Sequence, residues 1–258
     1  MVDTSSNNLP LRGKHALVTG ATRGIGLETC RQLAALGAYV IVAARDLARA
    51  EAVAQALRDD GREALALKLD VTSEADRAAV FRELDSRFGK LDILINNAGI
   101  WLDSADAATP PDRPIDEVPE SVVRRTFEVN FFAPLLLTQT LLPLLKQAPA
   151  ARVVNVSSIR GSLAHLSDPA SPVYPVKALG YDTSKAALNA FTILLAEQLR
   201  GSPIKINAIH PGWVRTEMGS KHADLGLEDG ARTAIRYATL GEDGPTGGFF
   251  FQDERLPW

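Results

Sequence analysis

Cysteine is nearly missing from this chain: Cys30 is the only one in 258 residues. An intramolecular disulfide and a cysteine-based metal cage within one chain are therefore excluded, and a reducing, cytoplasmic setting is the simplest expectation. An excess of one charge sign is missing too. Lys and Arg total 28 against 31 Asp and Glu, for a formal net charge of −3. That balance speaks against a dedicated nucleic-acid surface. No window approaches about 18 uninterrupted apolar residues. The richest, LLLTQTLLPLLK at 135–146, is broken by Thr138, Gln139, Thr140 and Pro143. It reads as a buried core helix, and no membrane span is expected. The opening MVDTSSNNLP lacks the basic and apolar regions of a secretory signal. Residues 1–12 are expected to form a flexible leader. The four histidines, His15, His165, His210 and His222, form no metal-ligand spacing, so no metal is expected.

What is present fits a globular protein: 46% hydrophobic and 23% charged residues. Short apolar runs at 14–19, 39–43, 64–69, 91–99, 151–158 and 204–210 read as strands, with a closing strand near 247–251. Between them, helical patterns run over 25–36, 46–60, 73–88, 120–146 and 181–200. Asp46 and Ser73 are candidate N-caps, and Gly37, Gly61 and Gly89 candidate stops. Continuous apolar strands alternating with helices imply βαβ crossovers and a mainly parallel sheet. The expected fold is α/β, a doubly wound, Rossmann-like parallel sheet with helices on both faces. Residues 13–258 are read as one domain. Two stretches, 101–119 and 159–180, are irregular, and long loops inside an ordered domain are often functional.

The first strand runs into Thr19-Gly20-Ala21-Thr22-Arg23-Gly24-Ile25-Gly26. Glycines at a strand-to-helix junction permit close approach of a ligand to the backbone, and the helix start offers N–H groups to a phosphate. Gly20, Thr22, Arg23, Gly24, Ile25 and Gly26 are thus candidate dinucleotide contacts. The second strand ends Ala43-Ala44-Arg45-Asp46. Readers of NAD usually place a carboxylate there for the ribose 2′-OH. Arg45 would instead hold a 2′-phosphate, with Arg23 on its other side, which favours NADPH over NADH.

Tyr181-Asp182-Thr183-Ser184-Lys185 opens the strongest helix. Residues i and i+4 share a face, so Tyr181 and Lys185 can enter one site. An ammonium beside a phenol favours the phenolate. Ser158, at the end of a preceding strand, is placed to polarise a carbonyl by hydrogen bonding.

Together these segments resemble the short-chain dehydrogenase/reductase family. The matching stretches are TGATRGIG (19–26), DVT (70–72), NNAG (96–99), VNFFA (129–133), VNVSS (154–158), YDTSK (181–185) and HPGWVRTEM (210–218), in the family's order. The tail at 243–258 resembles the carbonyl-reductase-like branch. The resemblance implies that Tyr181 is the acid/base, that Lys185 lowers its pKa and binds the nicotinamide ribose, and that Ser158 orients the carbonyl. Ser158 is preferred over Ser157 because a short apolar segment and Gly161 follow it. The resemblance further implies that Asn130 holds a water linking Lys185 to solvent; the alternative is a side-chain bond that shapes a helix kink before Pro134. Asp70 and Val71 would border the adenine. Asn97, Ala98 and Gly99 would border the ribose and nicotinamide, and Pro211, Gly212, Val214 and Thr216 would hold the nicotinamide end.

The implied activity is NADPH-dependent reduction of a ketone or aldehyde. Two alternatives stay open: an NAD-dependent secondary alcohol dehydrogenase, and a non-catalytic nucleotide-sensing regulator on the same fold. Trp101, Leu163, Tyr174 and Trp213 are candidate pocket residues and suggest a hydrophobic small-molecule carbonyl substrate. The spacing from Ser158 to Tyr181 is longer than usual in the family. The extra length weakens the usual tetramer expectation, leaving a monomer or small homo-oligomer.

Overall fold

A computed structural model describes residues 9–111 and 113–258. The described residues form an eight-stranded sheet: β1 (His15–Thr19), β2 (Tyr39–Ala44), β3 (Ala64–Lys68), β4 (Ile93–Asn96), β5 (Arg152–Val156), β6 (Lys205–Ile209), β7 (Phe249–Phe251) and β8 (Glu254–Arg255). Their spatial order is β3-β2-β1-β4-β5-β6-β7-β8. All neighbours pair parallel except β7 with β8, which is antiparallel. The helices are α1 (Gly24–Ala35), α2 (Leu47–Asp59), α3 (Glu74–Phe88), α4 (Glu120–Phe127), α5 (Ala133–Gln147), α6 (Leu163–Ser167), α7 (Leu179–Gln198) and α8 (Leu227–Ala238). The chain winds outward from β1 to β3, then returns to lay β4 on the other side of β1. The reversal between β1 and β4 opens a crevice at their carboxyl ends, where such sheets bind ligands.

Period-two alternation sends successive strand residues to opposite faces. Ala16 and Val18 pack with Cys30, Leu33 and Tyr237 under α1, α2 and α8. Leu17, Ile41 and Leu94 pack with Leu84, Leu137 and Leu188 under α3, α5 and α7. Local signals place the helix ends. The side chain of Asp46 accepts the Arg49 N–H, that of Ser73 accepts the Asp76 N–H, and Gly89 closes α3 at φ 63°. Cys30 is fully buried in the first layer, and burial pushes its thiol up.

Several elements differ from the sequence reading. The expected leader lies outside the described residues over 1–8, whereas 9–12 form a turn with Leu11 buried and its N–H donating to the Leu36 carbonyl. The helical run 120–147 is continuous but passes through a π turn at Glu128–Phe132. By length and composition it could cross a membrane; its inward face, including Leu137, Leu141 and Leu145, is built into the core. The irregular 159–180 stretch contains a 3-10 turn at Ile159–Gly161 and α6, onto which the chain's last residue docks through Ala164 N–H to the Trp258 carbonyl, 3.0 Å. Helix α8 and strand β8 had no counterpart in the sequence reading.

Candidate active site

The glycine turn is shaped by its neighbours. Gly20 and Gly24 adopt φ of 62° and 56°, which only glycine takes without strain. A Cβ on Gly26 would stand 2.4 Å from Asn97 Nδ2 and 2.5 Å from the Gly20 carbonyl. Thr19 Oγ1 accepts the N–H groups of both Asn97 and Ala98 at 3.0 Å, and Asn97 Nδ2 donates to the Thr19 carbonyl at 2.8 Å. The Asn97 side chain is therefore committed to holding the turn. Helix α1 starts behind Arg23 with no side-chain cap, so its first N–H groups are offered to an anion. A Cβ on Gly24 would reach within 3.5 Å of Thr216 Cγ2. The cradle between the turn and the 211–218 segment fits a dinucleotide phosphate. Gly212, at φ 86°, leaves no room for a side chain because Leu225 Cδ1 would lie 2.3 Å from its Cβ.

Arg45 is exposed at the end of β2. It lies near Asp70: burial works to raise the Asp70 pKa, but hydrogen bonds from Thr72 and the charges of Arg45 and Arg125 hold it below its ordinary value. Val71 follows Asp70, and its carbonyl accepts from Arg77. Arg23, expected on the other side of a 2′-phosphate from Arg45, is exposed and ion-paired with Glu217.

The catalytic candidates converge at the carboxyl end of β5 and the start of α7. Tyr181 is buried, and the Ser158 hydroxyl lies close enough to its phenol to favour the phenolate. Ser157 points elsewhere, donating to Asn189 Oδ1 at 2.6 Å. Lys185 Nζ donates to the Val156 carbonyl at 2.8 Å and sits 5.6 Å from the centre of the Tyr181 ring. Gly161 sets the spacing between the serine turn and α7, since a Cβ there would lie 2.8–2.9 Å from the Lys185 backbone and Cβ. Asn130, in the π turn, accepts the Ile100 N–H through Oδ1 at 2.8 Å and donates to the Ile100 carbonyl and to Ser184 Oγ at 2.9 and 3.1 Å. Asn130 Oδ1 and Lys185 Nζ both approach Gly99, at 3.5 and 3.6 Å from where a Cβ would stand.

Burial dominates the electrostatics here. It pushes the Tyr181 phenol up to about 12, against the lowering effects of the Ser158 hydrogen bond and the Arg160 charge. It brings Lys185 down to about 8. Burial also raises Asp182 to about 6, although its bonds to the Ala178 N–H and to Arg160 oppose this. His210 is lowered to about 3 by burial and by His165, so it stays neutral and packs at 5.3 Å from Phe251.

One of the expected pocket residues reaches the tyrosine. The Trp101 ring packs against that of Tyr181, centroids 4.8 Å apart and tilted by 52°, within a cluster that includes Ala178, Ala107 and Met218. Arg160 lies 5.3 Å over the Trp101 ring. Leu163 is 65% exposed, Tyr174 lies under the Lys177 ammonium at 4.1 Å, and the Trp213 indole donates to the Gly219 carbonyl. None of these three joins the Trp101 cluster. Met218, Ala107, Arg160 and Asp103 were not singled out from the sequence. A cleft of about 460 Å³ opens between the 106–109 and 216–222 loops, lined by Asp106, Thr216, Glu217, Lys221 and other polar residues.

A doubly wound sheet with a glycine cradle at its switch point and a Ser–Tyr–Lys cluster beside it defines a nucleotide-dependent oxidoreductase. The chain belongs to the short chain dehydrogenase family, whose model matches residues 14–224. It is 31% identical to salutaridine reductase of Papaver bracteatum, over 91% of this chain and 93% of that one. It is 32% identical to (-)-isopiperitenone reductase of Mentha piperita, over 94% and 98%. The solved structure of NADPH-bound carbonyl reductase from chicken fatty liver superposes with a TM-score of 0.82 at 31% identity, covering 96% of this chain and all of that one (100%).

Proposed function

We propose that this enzyme reduces a ketone or aldehyde to the alcohol with NADPH, reversibly. The observation that carries the reading is a buried Tyr181 with the Ser158 hydroxyl beside it and Lys185 on the same helix face. Bound in the cradle, NADPH supplies the hydride for the carbonyl carbon. Ser158 donates a hydrogen bond that orients and polarises the carbonyl oxygen. Tyr181 gives that oxygen its proton; burial keeps the phenol protonated at neutral pH, the form a donor needs. Lys185 stabilises the resulting phenolate and holds a ribose hydroxyl, being still largely an ammonium near pH 7. Asn130 clamps Ile100 to Ser184, holding Lys185 and Gly99 in register, and its neighbourhood carries protons back from solvent through an ordered water.

The preference for NADPH rests on Arg45 standing where a carboxylate would serve NADH, and the chicken carbonyl reductase described with NADPH supports it. The wall of Trp101, Ala107, Ala178 and Met218 favours a hydrophobic carbonyl substrate. The unpaired, buried Cys30 accords with a cytoplasmic enzyme. The test is Tyr181→Phe, assayed with NADPH over small, aromatic and polycyclic ketones. Turnover should fall by at least about 100-fold, within the range that general acid catalysis supplies; undiminished turnover overturns the mechanism.

A further inference from the structure

Asp103 takes no part in the chemistry above, yet three observations converge on it. Helix α7 begins behind Ala178, whose side chain cannot cap it. The N–H groups of Gly180 and Tyr181 donate instead to the Asp103 carboxylate, 2.9 Å to Oδ1 and 3.0 Å to Oδ2. These are the orphan donors an N-cap normally satisfies, and the acceptor comes from 77 residues away in sequence. Gly180 makes room for it: a Cβ there would press on Thr126 Oγ1 at 3.2 Å and Asp103 Oδ2 at 3.3 Å. Two residues before Asp103, Trp101 packs its ring at a tilt against the ring of the same tyrosine, centroids 4.8 Å apart. Its indole N–H donates to Ser104 Oγ at 2.9 Å, one residue past Asp103. A single loop thus holds Tyr181 both by its backbone N–H and by its ring. An ordinary cap would stabilise the helix alone; a cap borrowed from the pocket loop also fixes where the helix start stands relative to the pocket wall.

We propose that Asp103 is a positioning residue, which ties the pocket loop to the catalytic helix and so sets the Tyr181 hydroxyl against the substrate carbonyl. The proposal rests on the carbonyl-reductase reading. The test compares Asp103→Ala, Asp103→Asn and the double variant Asp103→Ala/Ala178→Ser by steady-state kinetics with a ketone and NADPH, alongside thermal denaturation. Asp103→Ala should lower kcat by about 10- to 100-fold, as small misplacements of reacting groups do, with the KM for NADPH held within about twofold. Asp103→Asn keeps one acceptor oxygen and should recover part of kcat. In the double variant, the hydroxyl introduced by Ala178→Ser supplies a local cap and should restore Tm while kcat stays low. The proposal is overturned if Asp103→Ala keeps kcat within about threefold of wild type, or if the double variant regains kcat together with Tm. Should Asp103→Ala fail to fold, an unchanged kcat in Asp103→Asn overturns it. Tyr181→Phe separates the two readings: full activity there removes the reductase mechanism, whereas an inactive Tyr181→Phe beside an unaffected Asp103→Ala removes only the tether.

Discussion

Lys185 shows what a buried charge costs a fold. Its ammonium is buried against a single hydrogen-bond acceptor, the Val156 carbonyl. Its pKa falls from 10.5 to about 8, which corresponds to about 3 kcal/mol of destabilisation at neutral pH. A base whose folded pKa is depressed contributes stability that is fully present above its unfolded pKa and is lost as pH falls through the folded one. Lys185→Met should therefore inactivate the enzyme while raising the Tm of the ligand-free protein at pH 7. The net gain is about 2 kcal/mol once the lost hydrogen bond is deducted, or roughly 4–8 °C. The advantage should shrink as pH rises from 7 to 10, because the wild-type lysine sheds its proton. Thermal denaturation of both proteins across that window checks the sign; a variant less stable than wild type at pH 7 refutes it. At this scale much of the site was readable. Tyr181, Lys185 and Ser158 sit at spacings that local geometry can interpret, one helical turn and one strand end. Asp103 was not readable, because a cap supplied from another element leaves no local signal. The Arg23–Glu217 pair was not readable for the same reason: the two residues lie 194 apart in sequence.

At the scale of elements, close backbone packing aligns the site. The 3-10 turn at Ile159–Gly161 lies on α7 so tightly that a Cβ on Gly161 would meet the Lys185 carbonyl carbon at 2.8 Å. Asn189 reinforces the contact by donating to the Gly161 carbonyl at 3.0 Å. Gly161→Ala should push turn and helix apart, costing about 1–3 kcal/mol as overpacking does. It should also lower kcat, since Ser158 leads into that turn and Lys185 lies under it. Tm and kcat measured together check this; a variant matching wild type in both shows that the contact yields freely. Elements with local punctuation were legible: α2 and α3 carry their own caps, and α3 ends at Gly89. Helix α8 was hidden by Gly226 and Gly230. The second is no breaker but a close approach, since a Cβ there would meet Val214 Cγ2 at 2.6 Å. At Asn130 the sequence offered a side-chain bond shaping a helix kink before Pro134; the π turn stands there, and what the sequence left unnamed were the partners of that side chain, Ile100 and Ser184.

Across the whole molecule, the cofactor groove is where the two halves of the sheet meet. The glycine turn and Arg45 follow β1 and β2; the 97–99 loop follows β4, and the 211–218 segment follows β6. Beyond the β1–β4 pairing, the glycine turn and the 211–218 segment meet through the exposed Arg23–Glu217 pair and the approach of Gly24 to Thr216. An exposed ion pair is worth about 1 kcal/mol or less, so a ligand that grips both halves should add much more. A cofactor at about 100 times its Kd stabilises the folded state by about 2.7 kcal/mol, which for a chain of this size is a Tm rise of roughly 5–10 °C. If Arg45 holds a 2′-phosphate, NADPH should produce this shift at concentrations where NADH produces little. Arg45→Asp should invert the order, because a carboxylate repels the phosphate but accepts the free 2′-OH. The readout needs no substrate and no turnover, so it isolates the groove from the catalytic cluster. Equal shifts for the two cofactors in the wild type, or an unchanged order in Arg45→Asp, would remove Arg45 from cofactor selection and leave the NADPH preference without its structural basis.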